Sequence, residues 1–263
     1  GTAKDIPLYA QALSVFKASY DIRFNKKNTS NKAGFIFGAN VQRLMNKNLN
    51  IFEVENKLNE SYLYFELDIS PLDKGESALF NIYRKGYTQE EKEESLIYSF
   101  TIPKALINTS NQYEWHQVYF EMNFGKCLIF INGKNTENQI NSKDEPDWVD
   151  VKGVSLNPLG DAGGDLIVYP VLADIGFKVP KNQEVEFSNV AIYNYREPSN
   201  FLFKEDLEAS TNSIFKSKRL KTSNKAYTIK SKKEAVLITA NPSKNAIPML
   251  RTEFTSNKAI KKA

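Results

Sequence analysis

The sequence predicts an all-β protein, a sandwich of antiparallel sheets, and three observations carry that prediction. Short runs rich in Tyr, Phe, Ile and Val recur along the 263 residues, several of them alternating apolar and polar. That two-residue period is the mark of a half-buried strand. Glycine, proline and Asn-Gly signals separate the runs as turns would. No stretch keeps a helical apolar period over several turns, so no helix is at hand to cover a sheet. Sheets without helices bury their apolar faces against each other.

Residues 8–24 alternate weakly, and Val15-Phe16 lead into the first predicted strand at residues 20–24, with Tyr20, Ile22 and Phe24 on one face. A polar, turn-like stretch follows over 25–32, then a short strand bracketed by Gly34 and Gly38. Residues 62–69 read most clearly: Leu63, Phe65, Leu67 and Ile69 point one way, Tyr62, Tyr64, Glu66 and Asp68 the other. Ser70-Pro71 ends that run, because proline cannot donate to a ladder. Strands are expected over 78–84 and 96–102, joined by an acid-rich polar loop over 86–94.

Residues 114–134 form the central hairpin. Val118, Phe120 and Met122 alternate with Gln117, Tyr119 and Glu121, and Phe124-Gly125 connects them to a second run apolar on both faces. Asn132-Gly133 closes it with a pair that readily supplies positive φ angles. Residues 135–150 are polar and irregular, and 156–165 are the richest turn segment. Interrupted strands follow over 166–172 and 176–179, and residues 187–196 close the series. A linker or cap covers 200–213, another hairpin is expected at 226–239, and 249–254 opens a further strand. The expected division is a sandwich over 1–200, then a linker and the β-rich start of a following, truncated sandwich over 201–263.

Composition narrows the function classes. Hydrophobic residues make up 41%, aromatics 12%, and mean hydropathy is −0.46, which marks a folded, soluble chain. No apolar stretch is long enough to span a bilayer as a helix. The lone cysteine, Cys127, excludes an intrachain disulfide and alternates with Ile129 and Ile131, as a buried residue would. The lone histidine, His116, sits in the paired strand, and a sheet offers such a Cys–His couple no open cleft. One histidine also excludes a histidine-rich metal centre, though not an all-oxygen calcium site. The net charge of +4 hides an asymmetry: from residue 201 onward 14 Lys/Arg face 5 Asp/Glu. Those lysines are spread over predicted edges and turns without an aromatic platform, the pattern of edge protection rather than nucleic-acid binding.

Several motifs carry a family resemblance. Trp115-His116-x-Val118, the hairpin ending Phe130-Ile131-Asn132-Gly133-Lys134, and Phe187-Ser188-Asn189-Val190-x-Ile192-Tyr193-Asn194 resemble concanavalin A-like, laminin-G-like jelly rolls. The tail, from Asn241-Pro242 through Ile247-Pro248-Met249-Leu250-Arg251-Thr252-Glu253-Phe254, looks like the lead-in to the β-sandwich of bacterial α-L-rhamnosidases, glycoside hydrolase family 78. Phe37-Gly38-Ala39-Asn40-x-x-Arg43-Leu44-Met45-Asn46-Lys47 and Asp174-Ile175-Gly176-Phe177 are similar to the N-terminal accessory region of those enzymes. The resemblance implies a non-catalytic accessory module of a periplasmic or extracellular bacterial glycosidase, one that binds carbohydrate or else is a structural spacer packing against the catalytic domains. Its expected partners are a rhamnose-containing glycan and the downstream domains of the same chain. The family's catalytic glutamates lie in a helical barrel that this sequence does not encode, so no catalytic residue is carried over.

A sugar-binding module needs rings that stack on sugar faces and planar polar groups that fix hydroxyls. Trp148, in the polar Asp147-Trp148-Val149 segment, is the candidate exposed ring, or else a lid folded back on the core. Tyr83, Arg84 and Tyr87 enter the acidic loop and are candidates for a binding face or its rim. Asp161 and Asp165 flank Gly163-Gly164, either as a weak calcium pair or as a plain glycine turn. No other cofactor is expected. Two pairs could supply the facing carboxylates of a glycanase, Glu66 with Asp68 and Glu184 with Glu186.

Overall fold

A computed structural model of the chain describes residues 14–39, 62–88, 91, 93–141, 148–155, 166–168, 170, 174–194, 201–205, 220–222, 227–231, 236–240 and 249–253. Two antiparallel sheets carry the described residues. The first orders β15 (Tyr227–Ser231), β16 (Val236–Ala240), β12 (Glu184–Asn194), β1 (Val15–Phe24), β6 (His116–Asn123), β7 (Lys126–Ile131) and β8 (Val149–Asp150). On the edge of β12 next to β16 lies β13 (Phe201–Glu205). The second sheet orders β14 (Leu220–Thr222), β17 (Met249–Glu253), β11 (Asp174–Lys178), β2 (Lys32–Ala39), β3 (Tyr62–Asp68), β4 (Leu79–Lys85) and β5 (Ser95–Thr101). A small ribbon pairs β9 (Gly153–Ser155) with β10 (Leu166–Val168).

The predicted all-β jelly-roll sandwich is thus the observed architecture. Strand alternation builds its core: Phe16, Ala18, Tyr20, Ile22 and Phe24 of β1 and Val118, Phe120 and Met122 of β6 face inward. From the other sheet come Phe35 and Phe37, Leu63, Phe65 and Leu67, and Phe80 and Ile82. Phe120 sits at the middle, with the Phe37 and Phe65 rings at 5.2 and 4.9 Å. Each such aromatic pair contributes about 0.5–1.5 kcal/mol beyond simple burial.

The hairpin turn between β6 and β7 has Phe124 at φ 48° and Gly125 at φ 79°. Positive φ at both central residues is the type I′ geometry, whose twist matches that of the strands. Asn132, at φ 57°, locks the next turn with its side chain. Its Oδ1 accepts from the Gln117 N–H at 2.9 Å and its Nδ2 donates to the Leu106 carbonyl at 2.9 Å. On β12, Asn189 at φ 49° forms a bulge opposite Tyr20, which lets Phe187 and Val190 both reach the core.

The expected boundary near residue 200 does not separate two sets of sheets. Strands β13, β15 and β16 extend the first sheet, while β14 and β17 extend the second. Edge strands of a sandwich accept such additions because their outer N–H and C=O groups otherwise face water.

Cys127 is buried in the core, and burial pushes its thiol well up from its ordinary value. His116 lies at the opposite end of the hairpin, since Cys127 pairs with Met122. The six residue steps from His116 to Met122 span ~20 Å of strand, so no Cys–His couple forms.

Candidate functional site

Two polar-aromatic clusters stand on the outer faces of the sandwich. The first belongs to the second sheet and follows from the alternation of β3. Leu63, Phe65 and Leu67 occupy the core, so Tyr62, Tyr64 and Glu66 project from the opposite face. Glu66 is the hub: Tyr64 Oη donates to its Oε2 at 3.0 Å, while Asn81 Nδ2 and Tyr83 Oη donate to its Oε1 at 3.1 and 3.3 Å. Ser99 Oγ in turn donates to Asn81 Oδ1 at 2.7 Å.

The Tyr64 and Tyr83 rings stack 5.6 Å apart, and Lys178 Nζ lies 4.7 Å from the Tyr64 ring centre. Lys178 also pairs with Glu94, whose Oε2 accepts from Tyr62 Oη at 2.8 Å. This cluster is closed. Tyr64 is 1% and Glu66 4% exposed, and burial raises the Glu66 carboxyl pKa against the opposing pull of Asn81 and the Lys32 charge. Asp68, the other acid of that strand, accepts the Ser70 N–H at 2.9 Å and starts the short 3₁₀ turn at Ser70–Lys74. The two acids are engaged separately, each by its own neighbours.

The sequence-predicted binding residues are not brought together. Tyr83 belongs to the Glu66 cluster. Arg84 projects from the other side of β4, where it pairs with Glu91 and donates to the Lys152 carbonyl. Tyr87 is 0% exposed, and its Oη donates to the Gly38 carbonyl at 3.2 Å. A Cβ on Gly38 would lie 2.1 Å from that hydroxyl, so the glycine and the tyrosine fit as a unit. Trp148 is half-buried immediately before β8, at the far edge of the first sheet. Asp161 and Asp165 lie outside the described residues. Among the described residues, no group of three or more His, Cys, Asp or Glu side chains is placed to hold a metal ion.

The second cluster lines an open pocket of about 300 Å³ at one end of the first sheet. Register creates it. Arg23 is the direct cross-strand partner of Glu186, and Ile22 pairs with His116, which sets Trp115 beside Arg23. Three strands thereby align a tryptophan, an arginine and a glutamate in one row. The Arg23 guanidinium carbon sits 4.5 Å from the Trp115 ring centre, and its Nε donates to Glu186 Oε2 at 2.7 Å. Stacking and ion pairing hold the guanidinium in one plane.

A second row lies one step further along. Asn25 Nδ2 donates to Glu184 Oε2 at 2.7 Å, and Lys26 Nζ lies 5.6 Å from the Tyr113 ring. Asn28 ties the loop to β12: its Nδ2 donates to the Glu184 carbonyl at 3.0 Å, and its Oδ1 accepts the Glu184 N–H at 2.9 Å. The pocket wall therefore alternates donors (Arg23, Asn25) with acceptors (Glu186, Glu184) beside the Tyr113 ring, while Trp115 braces Arg23 without being part of the lining. Sequence reading marks the Glu184/Glu186 pair only as possible glycanase carboxylates and takes Trp115 as part of the hairpin scaffold, and it does not mark Arg23, Asn25, Lys26 or Tyr113. Their only sequence signal was a polar turn after β1; the pairing with β12 lies more than 150 residues away.

No family model and no curated protein sequence matches the chain. Among solved structures it is similar to carbohydrate-binding module CBM66 from Bacillus subtilis, at 12% identity and a TM-score of 0.35. That similarity covers 68% of this chain and 74% of the other.

Proposed function

We propose that this chain is a non-catalytic carbohydrate-binding module whose ligand site is the pocket lined by Arg23, Asn25, Lys26, Tyr113, Glu184 and Glu186, with Trp115 stacked on Arg23. One observation carries the reading: a ring-backed row of alternating donors and acceptors lines an open concavity. Sugar hydroxyls both donate and accept, and sugar C–H faces pack on aromatic rings, so such a wall complements a sugar. Two cations, Arg23 and Lys26, balance two carboxylates, Glu184 and Glu186, which suits a neutral glycan.

Engagement of both acids supports binding rather than hydrolysis. Arg23 holds Glu186 and Asn25 holds Glu184, whereas glycoside hydrolysis needs one carboxyl free to donate a proton. The finer reading is an accessory module of an α-L-rhamnosidase-like hydrolase acting outside the cytoplasm. It rests on the resemblance of the tail and of residues 37–47, and it makes rhamnose-containing oligosaccharides the first ligands to try.

Calorimetric or NMR titration with a panel of neutral oligosaccharides tests the proposal. Saturable binding that weakens about tenfold or more in both Trp115→Ala and Glu186→Gln is the expected result, a loss of ~1.4 kcal/mol or more. Absence of binding to every glycan at millimolar concentration would overturn it. Hydrolysis of a glycan by the chain, abolished by Glu186→Gln, would replace binding with catalysis.

A further inference from the structure

The sheet edges among the described strands are protected in all places but one. Strands β8 and β14 are two and three residues long. Strands β13 and β15 carry Lys204 and Lys230. Shortness and lysine are the usual means by which edges avoid pairing with other chains.

The exception is β5, which spans seven residues and ends the second sheet. Its sequence, Ser-Leu-Ile-Tyr-Ser-Phe-Thr, holds no charge, proline or glycine. Leu96 is 52% exposed, one of two exposed large hydrophobics among the described residues. Tyr98 and Phe100 stack at 5.8 Å and are only partly covered by the core. Such a strand is a ready template for another.

We infer that β5 pairs antiparallel with β5 of a second copy of this chain, joining two second sheets into one continuous sheet. The occupant follows from the strand itself. An extra residue at Ile97 interrupts the pairing with β4, so the regular stretch is Tyr98–Thr101. A two-fold axis at Ser99 sets Tyr98 of one copy opposite Phe100 of the other, twice, on the same face. Such aromatic cross-strand pairs are among the more stabilising ones.

The flanks agree. Glu93 and Glu94 precede the strand and Lys104 follows it, so antiparallel pairing sets the acidic end of each copy beside the basic end of its neighbour. Parallel addition would set like charges together. Lys104 now donates to the Gly75 carbonyl at 2.8 Å, and its ammonium keeps two further protons for a carboxylate.

Sedimentation velocity of the whole chain from about 1 to several hundred micromolar tests the inference. A reversible dimer is expected, reduced to monomer when Leu96→Lys and Thr101→Lys place charges on two exposed edge positions. Far-UV circular dichroism confirms that these variants remain folded. Glu93→Lys alone should weaken the dimer several-fold, and adding Lys104→Glu should restore it. A monomer at every concentration, or a dimer that none of these changes affects, would overturn the inference.

Discussion

The Glu66 cluster and the Arg23 pocket use the same residue types on the outer faces of two packed sheets, yet they do opposite things. Around Glu66, three donors from two strands converge on one buried carboxylate, and Ser99 of a third strand donates to Asn81, one of those three. Around Arg23, the pairing is done by one glutamate and one ring, and the rest of the wall faces an open concavity. Composition alone does not mark a site. A polar-aromatic cluster that is closed stabilises the fold, and one left partly open can take a ligand.

The largest expected effect separates the two on stability. Glu66→Ala strands the Tyr64, Asn81 and Tyr83 donors and should cost about 3 kcal/mol in urea unfolding. Pocket binding should be unchanged by it. An equal loss of ligand affinity would show that the two clusters are coupled.

Trp115→Ala should show the reverse, with affinity falling about tenfold while unfolding changes by ~1 kcal/mol or less. A large loss of stability with intact binding would make Trp115 a structural residue and move the site elsewhere.

A smaller signal lies in the pH dependence of stability. Glu66 binds its proton more tightly in the folded state, chiefly because burial disfavours its charge. Its contribution is therefore full below the ordinary glutamate range and is lost as pH rises through the raised folded value. His116 has the opposite sign. Burial lowers its folded pKa, against the opposing hydrogen bond to the Gln112 carbonyl. Asn132 Nδ2 faces its Nδ1 at 3.2 Å and fixes the neutral ring with the proton on Nε2. Its contribution is full above the ordinary histidine value and is lost as pH falls through the lowered folded one. Unfolding free energies measured across pH 4–8 should lose the first slope in Glu66→Gln and the second in His116→Gln.

The smallest expected effect is that of Tyr83→Phe. It removes one 3.3 Å hydrogen bond to Glu66, worth about 0.5–1.5 kcal/mol, and should leave glycan affinity unchanged. A loss of affinity here would return the binding site to the second sheet, where sequence reading had placed Tyr83.

Much of the fold was legible in the chain because it depends on local alternation. The inward face of β3 follows from the two-residue period of residues 62–69, and the two turns follow from Gly125 and from the Asn132-Gly133 pair, residues that tolerate positive φ. Tyr87 shows where that reading stops. A tyrosine in a polar acidic stretch looked exposed, yet the structure buries it because Gly38, 49 residues away, leaves room for its hydroxyl.

The sequence by itself determined the all-β class, the two-faced strands and the hairpin at residues 114–134, since each rests on neighbours a few positions apart. Only the tertiary structure decided which polar face closes and which stays open. It also decided that β13–β17 extend the sandwich already present. Both depend on register between strands far apart in the chain, and register is fixed by the packing of the whole core, not by any one segment.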